Sequence, residues 1–178
     1  MDIGVISVRY ARALLKSATN AKVEDLLYQE MQQLARCFIN VPQMRFTIDN
    51  PMLSSEKKEA LLLTAIGSEP SALVKSFIAL VLKEGRESMI QFMANSYITL
   101  YRKQKNIIRG KLTTAVAVSP ATEQKMREMV ESKTNGTVEF ETEVNSDIIG
   151  GFILEYDTFR MDASVQSKLR NILNTLKK

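Results

Sequence analysis

The chain has 178 residues, 45% hydrophobic and 25% charged, with a formal net charge of +4, one cysteine and no histidine. That length supports one medium domain or two small ones, and the balance is that of an ordinary globular protein, neither disordered nor fibrous. A single cysteine excludes an internal disulfide framework, and the lack of histidine removes the commonest general base and transition-metal ligand.

The first hundred residues carry a helical period. Val5, Val8, Ala11, Leu15 and Ala18 recur at three- and four-residue steps along one face. Asn20 is expected to cap a second helix striped by Val23, Leu27, Met31, Leu34 and Phe38, which Val41-Pro42 stops. A short segment around Met44 to Ile48 leads to the turn Asn50-Pro51. Ser54 is the expected cap of a helix with Glu56 and Glu59 near its positive end, closing at Gly67. Pro70 suits the first turn of a fifth helix, "LVKSFIALVL", which ends at Gly85. A sixth runs from about Glu87 to Lys105. The apolar window 60–82 is broken by Gly-Ser-Glu-Pro and Lys75, whereas a membrane-spanning helix needs roughly 20 predominantly apolar residues in a row. It reads as two buried helices, and the expected architecture is a six-helix bundle over residues 1–105.

At Asn106 the texture changes. "IIRGKLTTAVAV" is rich in β-branched residues and ends at Ser119-Pro120, a helix start. That helix gives way to the turn dipeptide Asn135-Gly136. "TVEFETEV" alternates Val138, Phe140, Thr142 and Val144 with Glu139, Glu141 and Glu143, the pattern of a half-buried strand. "GGFILEYDTFRMDAS" supplies another strand with a hairpin return, and "ASVQSKLRNILNTL" closes as a helix. The expected fold class is therefore α plus α/β, with residues 106–178 forming the smaller α/β domain. Residues 1–105 hold 14 basic and 10 acidic side chains, and residues 106–178 hold 10 of each. Any preference for an acidic partner belongs to the front half.

Chemical candidates fail one by one. Gly150 and Gly151 precede a strand, so they do not open a helix over a phosphate, as a dinucleotide fingerprint requires; they read as a close backbone approach. "RGKLTT" has Lys105 where a P-loop wants its first glycine and Leu112 where it wants Ser or Thr. Cys37, beside Phe38, reads as a small buried hydrophobe. Glu139, Glu141 and Glu143 form a row at strand spacing, solvated or facing a basic partner. Asn135-Gly136-Thr137 is a turn, because no secretory leader is expected in front of it: Asp2, Arg9 and Arg12 break the opening apolar residues. What remains is binding surface. The first helix carries Tyr10, Arg9 and Arg12 against its apolar face. The fifth is apolar almost all round, through Phe77, Ile78, Leu80, Val81 and Leu82, so it is central or shared with a partner.

"YARALLK", "NPMLSSEKKEALL", "FIALVLKEGR", "LTTAVAVSPATEQKM" and, most specifically, "VEFETEVNSDIIGGFILEYDTFRMDASVQSKLRNIL" resemble the delta subunit of the F-type ATP synthase, counterpart of the mitochondrial oligomycin-sensitivity-conferring protein. The resemblance runs nearly the whole length; Asp157 and the acidic "EYD" depart from the commoner pattern. It implies a non-catalytic stator subunit without cofactor or metal, in a complex that makes ATP from a proton or sodium gradient. By the same resemblance, the helical bundle grips N-terminal segments of the alpha subunits through Val8, Tyr10, Ala11, Arg12, Leu15, Phe77, Ile78 and Val81. The smaller domain meets the end of the stalk's b subunits through its last helix, with Lys168, Arg170, Lys177 and Lys178. Gly150, Gly151, Asp162 and Ser164 are then structural. The absence of a leader in the sequence favours a bacterial protein, peripheral on the cytoplasmic side of the inner membrane and held there only through the complex. Two rivals are a basic helical adaptor for RNA, drawing on the charged front half, and a small hydrolase with an Asp or Glu base. Aromatics at only 7% count against RNA stacking, and no paired nucleophile and base supports the hydrolase.

Overall fold

In the computed structural model, which describes residues 3–134, 136–156 and 158–176, helix α1 (Ile3–Ala21) buries Ile6, Ser7, Ala11, Leu14, Leu15 and Ala18. The core stripe is therefore rotated from the expected one: Val5 is 65% and Val8 36% exposed. Buried Ser7 is satisfied by donating its hydroxyl to the Ile3 carbonyl at 2.8 Å. Asn20 lies inside α1 and caps nothing. The chain turns instead at Lys22, whose φ of 57° is left-handed, and α2 (Glu24–Asn40) starts after Val23 with Glu24 and Asp25 at its positive end.

Val41-Pro42 stops α2 as expected, and α3 (Gln43–Asp49) and α4 (Ser55–Ile66) follow. Ser54 holds the cap position of α4 but makes no side-chain bond there. For α5 (Ala72–Lys83) the cap is Ser71, with Pro70 just outside the helix. Ser71 Oγ accepts from the Val74 amide at 3.3 Å. Glu30 of α2 in turn accepts from the Ser71 amide at 2.6 Å and its hydroxyl at 2.7 Å. A buried carboxylate of α2 thus holds the start of α5. Gly85, at φ 63°, ends α5 with its amide on the Leu82 carbonyl and that of Arg86 on Val81, so the Arg86 side chain leaves the helix end. A 3₁₀ turn (Glu87–Met89) leads into α6 (Ile90–Lys105).

Leu27, Met31 and Leu34 of α2, Leu62 of α4, Val74, Ile78 and Val81 of α5, and Ile90, Met93 and Tyr97 of α6 fill the interior, each at most 1% exposed. Tyr28 of α2 stacks on Tyr101 of α6 at 4.2 Å. Tyr101 donates to Asp25 at 2.6 Å and Tyr97 to the Glu24 carbonyl at 3.2 Å. Burial, with hydrogen bonding to Asp25 at Tyr101, pushes both phenols well above their ordinary pKa. Buried Lys58 of α4 pairs with Glu87 at 2.8 Å. These residues belong to one compact unit, Met1–Lys103, and Gln104–Lys178 form another.

In the second unit, β1 (Ile107–Thr114), α7 (Pro120–Thr134) and β2 (Thr137–Val144) make a parallel βαβ crossover. β3 (Phe152–Tyr156) and β4 (Phe159–Asp162) form an antiparallel hairpin, and α8 (Val165–Leu176) closes the fold. Sheet order is β2-β1-β3-β4. Asn135, half of the expected turn dipeptide, and Asp157 lie outside the described residues. The strand expected to run through Ala115–Val118 leaves the sheet after Thr114. Leu112, Val130, Val138 and Leu154 form a small core. The β2 alternation is half used: Val138 is buried and Val144 is 58% exposed, because β2 is an edge strand whose cover runs out.

The glycine pair sits where β3 begins beside the β4–α8 junction. Gly151 has φ 77°, and a Cβ there would come within 2.3 Å of the Ala163 carbonyl oxygen. Gly150 accepts from the Val165 amide at 2.9 Å, and the Ala163 amide donates to Phe152 at 2.9 Å. Only glycine fits so close a passage at positive φ. Asp162 then starts α8: its carboxylate accepts from the Ser164 amide at 3.0 Å and the Ser167 hydroxyl at 2.7 Å, while Ser164 Oγ accepts from the Ser167 amide at 3.1 Å.

Candidate partner-binding surfaces

Helices α1 and α5 meet along a groove of about 200 Å³ lined by Tyr10, Ala13, Leu14 and Ser17 from α1 and Leu73, Ser76, Phe77 and Leu80 from α5. Each helix contributes positions i, i+3, i+4 and i+7, so the groove is the meeting of two helical stripes. Small Ala13, Ser17 and Ser76 let another backbone come close, and Leu80, 49% exposed, is an uncovered apolar side chain. One end is fixed by Arg86, which donates to the Tyr10 hydroxyl at 2.9 Å and lies 5.4 Å from its ring centre.

The residues expected to line this surface divide. Tyr10 and Phe77 are in the groove, with Phe77 also 7% exposed and part of the core. Ala11, Ile78 and Val81 are 0% exposed and Leu15 is 7% exposed, so these four hold the bundle together and are out of a partner's reach. Val8 and Arg12 are exposed on α1 but line no part of the groove. Ala13, Leu14, Ser17, Leu73, Ser76 and Leu80 are the lining residues that the sequence reading missed. The signal for them was present: the 10-13-14-17 and 73-76-77-80 spacings are complete helical stripes.

In the second unit, α8 buries no residue. Val165, Leu169, Ile172, Leu173 and Leu176 form a stripe along it, and Leu169, Ile172, Leu173 and Leu176 are 48%, 56%, 56% and 78% exposed. A 12-residue helix is short for stability in water; this one is held by its first turn and offers an unpartnered apolar face. Lys168 and Arg170 are exposed on the same helix, while Lys177 and Lys178 lie outside the described residues. The apolar stripe, rather than the basic residues alone, is the feature that sequence reasoning passed over. Beside the start of α8, an apolar cleft of about 410 Å³ runs past Leu112, Val116, Met126, Ile149, Gly150 and Phe152. None of its lining side chains is ionisable, so this cleft has no acid–base chemistry to offer.

The remaining chemical candidates are accounted for within the fold. Glu141 pairs with Arg109 and Glu143 with Lys111, the latter at 2.8 Å, across the β1–β2 ladder. The carboxylate row therefore faces basic residues of its own sheet, and "RGKLTT" supplies them. Cys37 is half-buried on α2. Among the described residues no group of three metal-ligating side chains comes together, and no helix is long and apolar enough to cross a membrane.

Many known proteins are similar to this chain. The family model described as ATP synthase delta (OSCP) subunit matches residues 6–176. "ATP synthase subunit delta" of Phocaeicola vulgatus is 46% identical over 97% of this chain and 94% of its own length. The protein of the same name from Parabacteroides distasonis is 41% identical over 97% of this chain and 96% of its own. A chain in the cryo-EM structure of the Toxoplasma gondii mitochondrial ATP synthase hexamer superposes with a TM-score of 0.64 over 97% of both chains at 19% identity, a likeness of fold. The family model over residues 6–176 and relatives 46% and 41% identical over 97% of the chain leave one assignment: the chain belongs to the ATP synthase delta (OSCP) subunit family.

Proposed function

We propose that this chain is a non-catalytic stator subunit of the F-type ATP synthase that ties the catalytic head to the peripheral stalk, gripping each with a different unit. Family membership supports the stator role. The observation that carries the division of labour is the pair of apolar surfaces, one on each unit and each uncovered by the described residues of its own unit. A rotor turning inside the head would drag the head with it unless something held it still. Holding needs affinity and rigidity, which apolar grooves with many contacts supply.

The α1/α5 groove fits a helix laid across it, and its proposed occupant is the N-terminal helical segment of an alpha subunit. The apolar stripe of α8, with the neighbouring cleft, is proposed to meet the C-terminal end of the b subunits, Lys168 and Arg170 flanking that contact. The chain then sits on the cytoplasmic side of a bacterial inner membrane, held there through the complex. Calorimetric titration of the full chain with the alpha-subunit segment tests the head contact. Tight binding with a negative heat-capacity change, lost in Ala13→Arg, is expected. Unchanged affinity in a folded Ala13→Arg chain would place the contact elsewhere. Ala11→Arg is the wrong probe, because Ala11 is fully buried and the bundle would not tolerate it.

A further inference from the structure

The helices that wall the α1/α5 groove carry charge of one sign. Within Ile3–Ala21 the charged side chains are Arg9, Arg12 and Lys16, and within Ala72–Lys83 they are Lys75 and Lys83; neither helix holds an Asp or Glu. Arg9 and Lys16 each precede a groove residue, Tyr10 and Ser17, by one position, which puts them on the outer lip of α1. Lys83 falls three residues past Leu80, on the solvent side of α5. Arg9, Lys16 and Lys83 are all exposed, and none pairs with a carboxylate among the described residues. Arg86 adds a further cation at the Tyr10 end.

We infer that the groove selects an amphipathic helix whose apolar stripe is flanked by acidic side chains, and that the basic lips act mainly by speeding its capture. The inference rests on the groove being a helix-docking site. A single exposed ion pair adds little to equilibrium affinity. A cleft with lips of one sign, however, concentrates an oppositely charged ligand and raises its association rate. Dissociation is governed by the apolar lining, where Leu73 and Leu80, the lining leucines open to solvent in the free chain, would be re-exposed to water. Salt should therefore slow capture and leave release nearly untouched.

The test uses the full chain and three versions of the alpha-subunit segment that share one apolar stripe, with all flanking positions Glu, Gln or Lys. Stopped-flow rates at about 50 and about 200 mM salt span a useful range of screening. The Glu peptide is expected to associate roughly tenfold faster than the Gln peptide at low salt, the Lys peptide more slowly than either, with dissociation rates alike. The advantage should shrink at high salt and vanish in an Arg9→Gln, Lys16→Gln, Lys83→Gln chain, whose changes are all at the surface. Equal association rates for the Glu and Gln peptides overturn the inference and leave the docking site standing. Binding of the Glu peptide undiminished by Ala13→Arg places it outside the groove, and silence from all three peptides removes the docking site itself. Either result overturns the inference as well.

Discussion

The two units solve the same problem with different amounts of interior. The helical unit buries large side chains from several of its helices, and its proposed partner surface is a groove over a finished core. The α/β unit has a core of Leu112, Val130, Val138 and Leu154 under one helix, while α8 buries nothing. The first is complete without its partner. The second leaves an amphipathic helix whose apolar face has yet to be covered. On the proposed division of labour, affinity would come from surface relief in one unit and from deferred packing in the other.

The sharpest way to separate the units is Gly151→Val. The left-handed φ and the Ala163 oxygen 2.3 Å from the new Cβ leave it no room, and a loss of about 3 kcal/mol or more is expected. Differential scanning calorimetry should show a melting transition of residues 104–178 falling while that of the helical unit stays in place. A common drop of both would mean that the units unfold together.

A smaller effect, confined to the helical unit, is expected from Lys58→Met. Burial acts to raise the Glu87 carboxyl, but the hydrogen bond and attraction from Lys58, with a backbone hydrogen bond, outweigh it and hold the group below its ordinary 4.5. A lowered folded pKa contributes stability above the unfolded value, which is lost as pH falls through the folded one. Removing Lys58 should cost about 1–3 kcal/mol at neutral pH by stranding Glu87, and should flatten the unit's pH dependence below about 4.5. A variant as acid-sensitive as the parent would rule out the pair as the cause.

Smaller again is the effect of acid on α8. Hydrogen bonds from Ser164 and Ser167 hold the Asp162 carboxyl at about 2, against an ordinary 3.8. The cap should therefore persist above the ordinary value and fail as pH falls toward 2, with helical circular dichroism fading in that window. Asp162→Asn should remove this titration. The least effect on stability is expected from Leu173→Asp, within about 0.5 kcal/mol, because an exposed side chain loses no packing. The same change should abolish binding to the b-subunit end. A marked drop in melting temperature instead would show α8 to be packed in solution.

The helices were legible in the sequence because an apolar stripe at period 3.6 marks any helix with a side to bury. What the stripe does not record is against what it is buried. Ala11 and Ala13 are two residues apart on one helix, yet one is core and the other lines the groove, and only the position of α5 separates them. α8 is the converse case: its pattern demands cover that no element of its own unit supplies among the described residues. Capping was misread for a related reason. Asn20 has the right chemistry, but Lys22 turns the chain first, and the cap of α5 depends on Glu30, 41 residues away. The glycine pair was legible as scaffold from the order of elements alone, whereas its close neighbour, the Ala163 carbonyl, required the fold.

The division of labour is tested most directly by nuclear magnetic resonance of the labelled full chain, titrated first with the alpha-subunit segment and then with the b-subunit end. The first peptide should shift amides of Tyr10 to Ser17 and Leu73 to Leu80 only, and the second those of α8 and the neighbouring cleft only, each binding with the other present. Both peptides shifting the same unit, or competing for one surface, would contradict it.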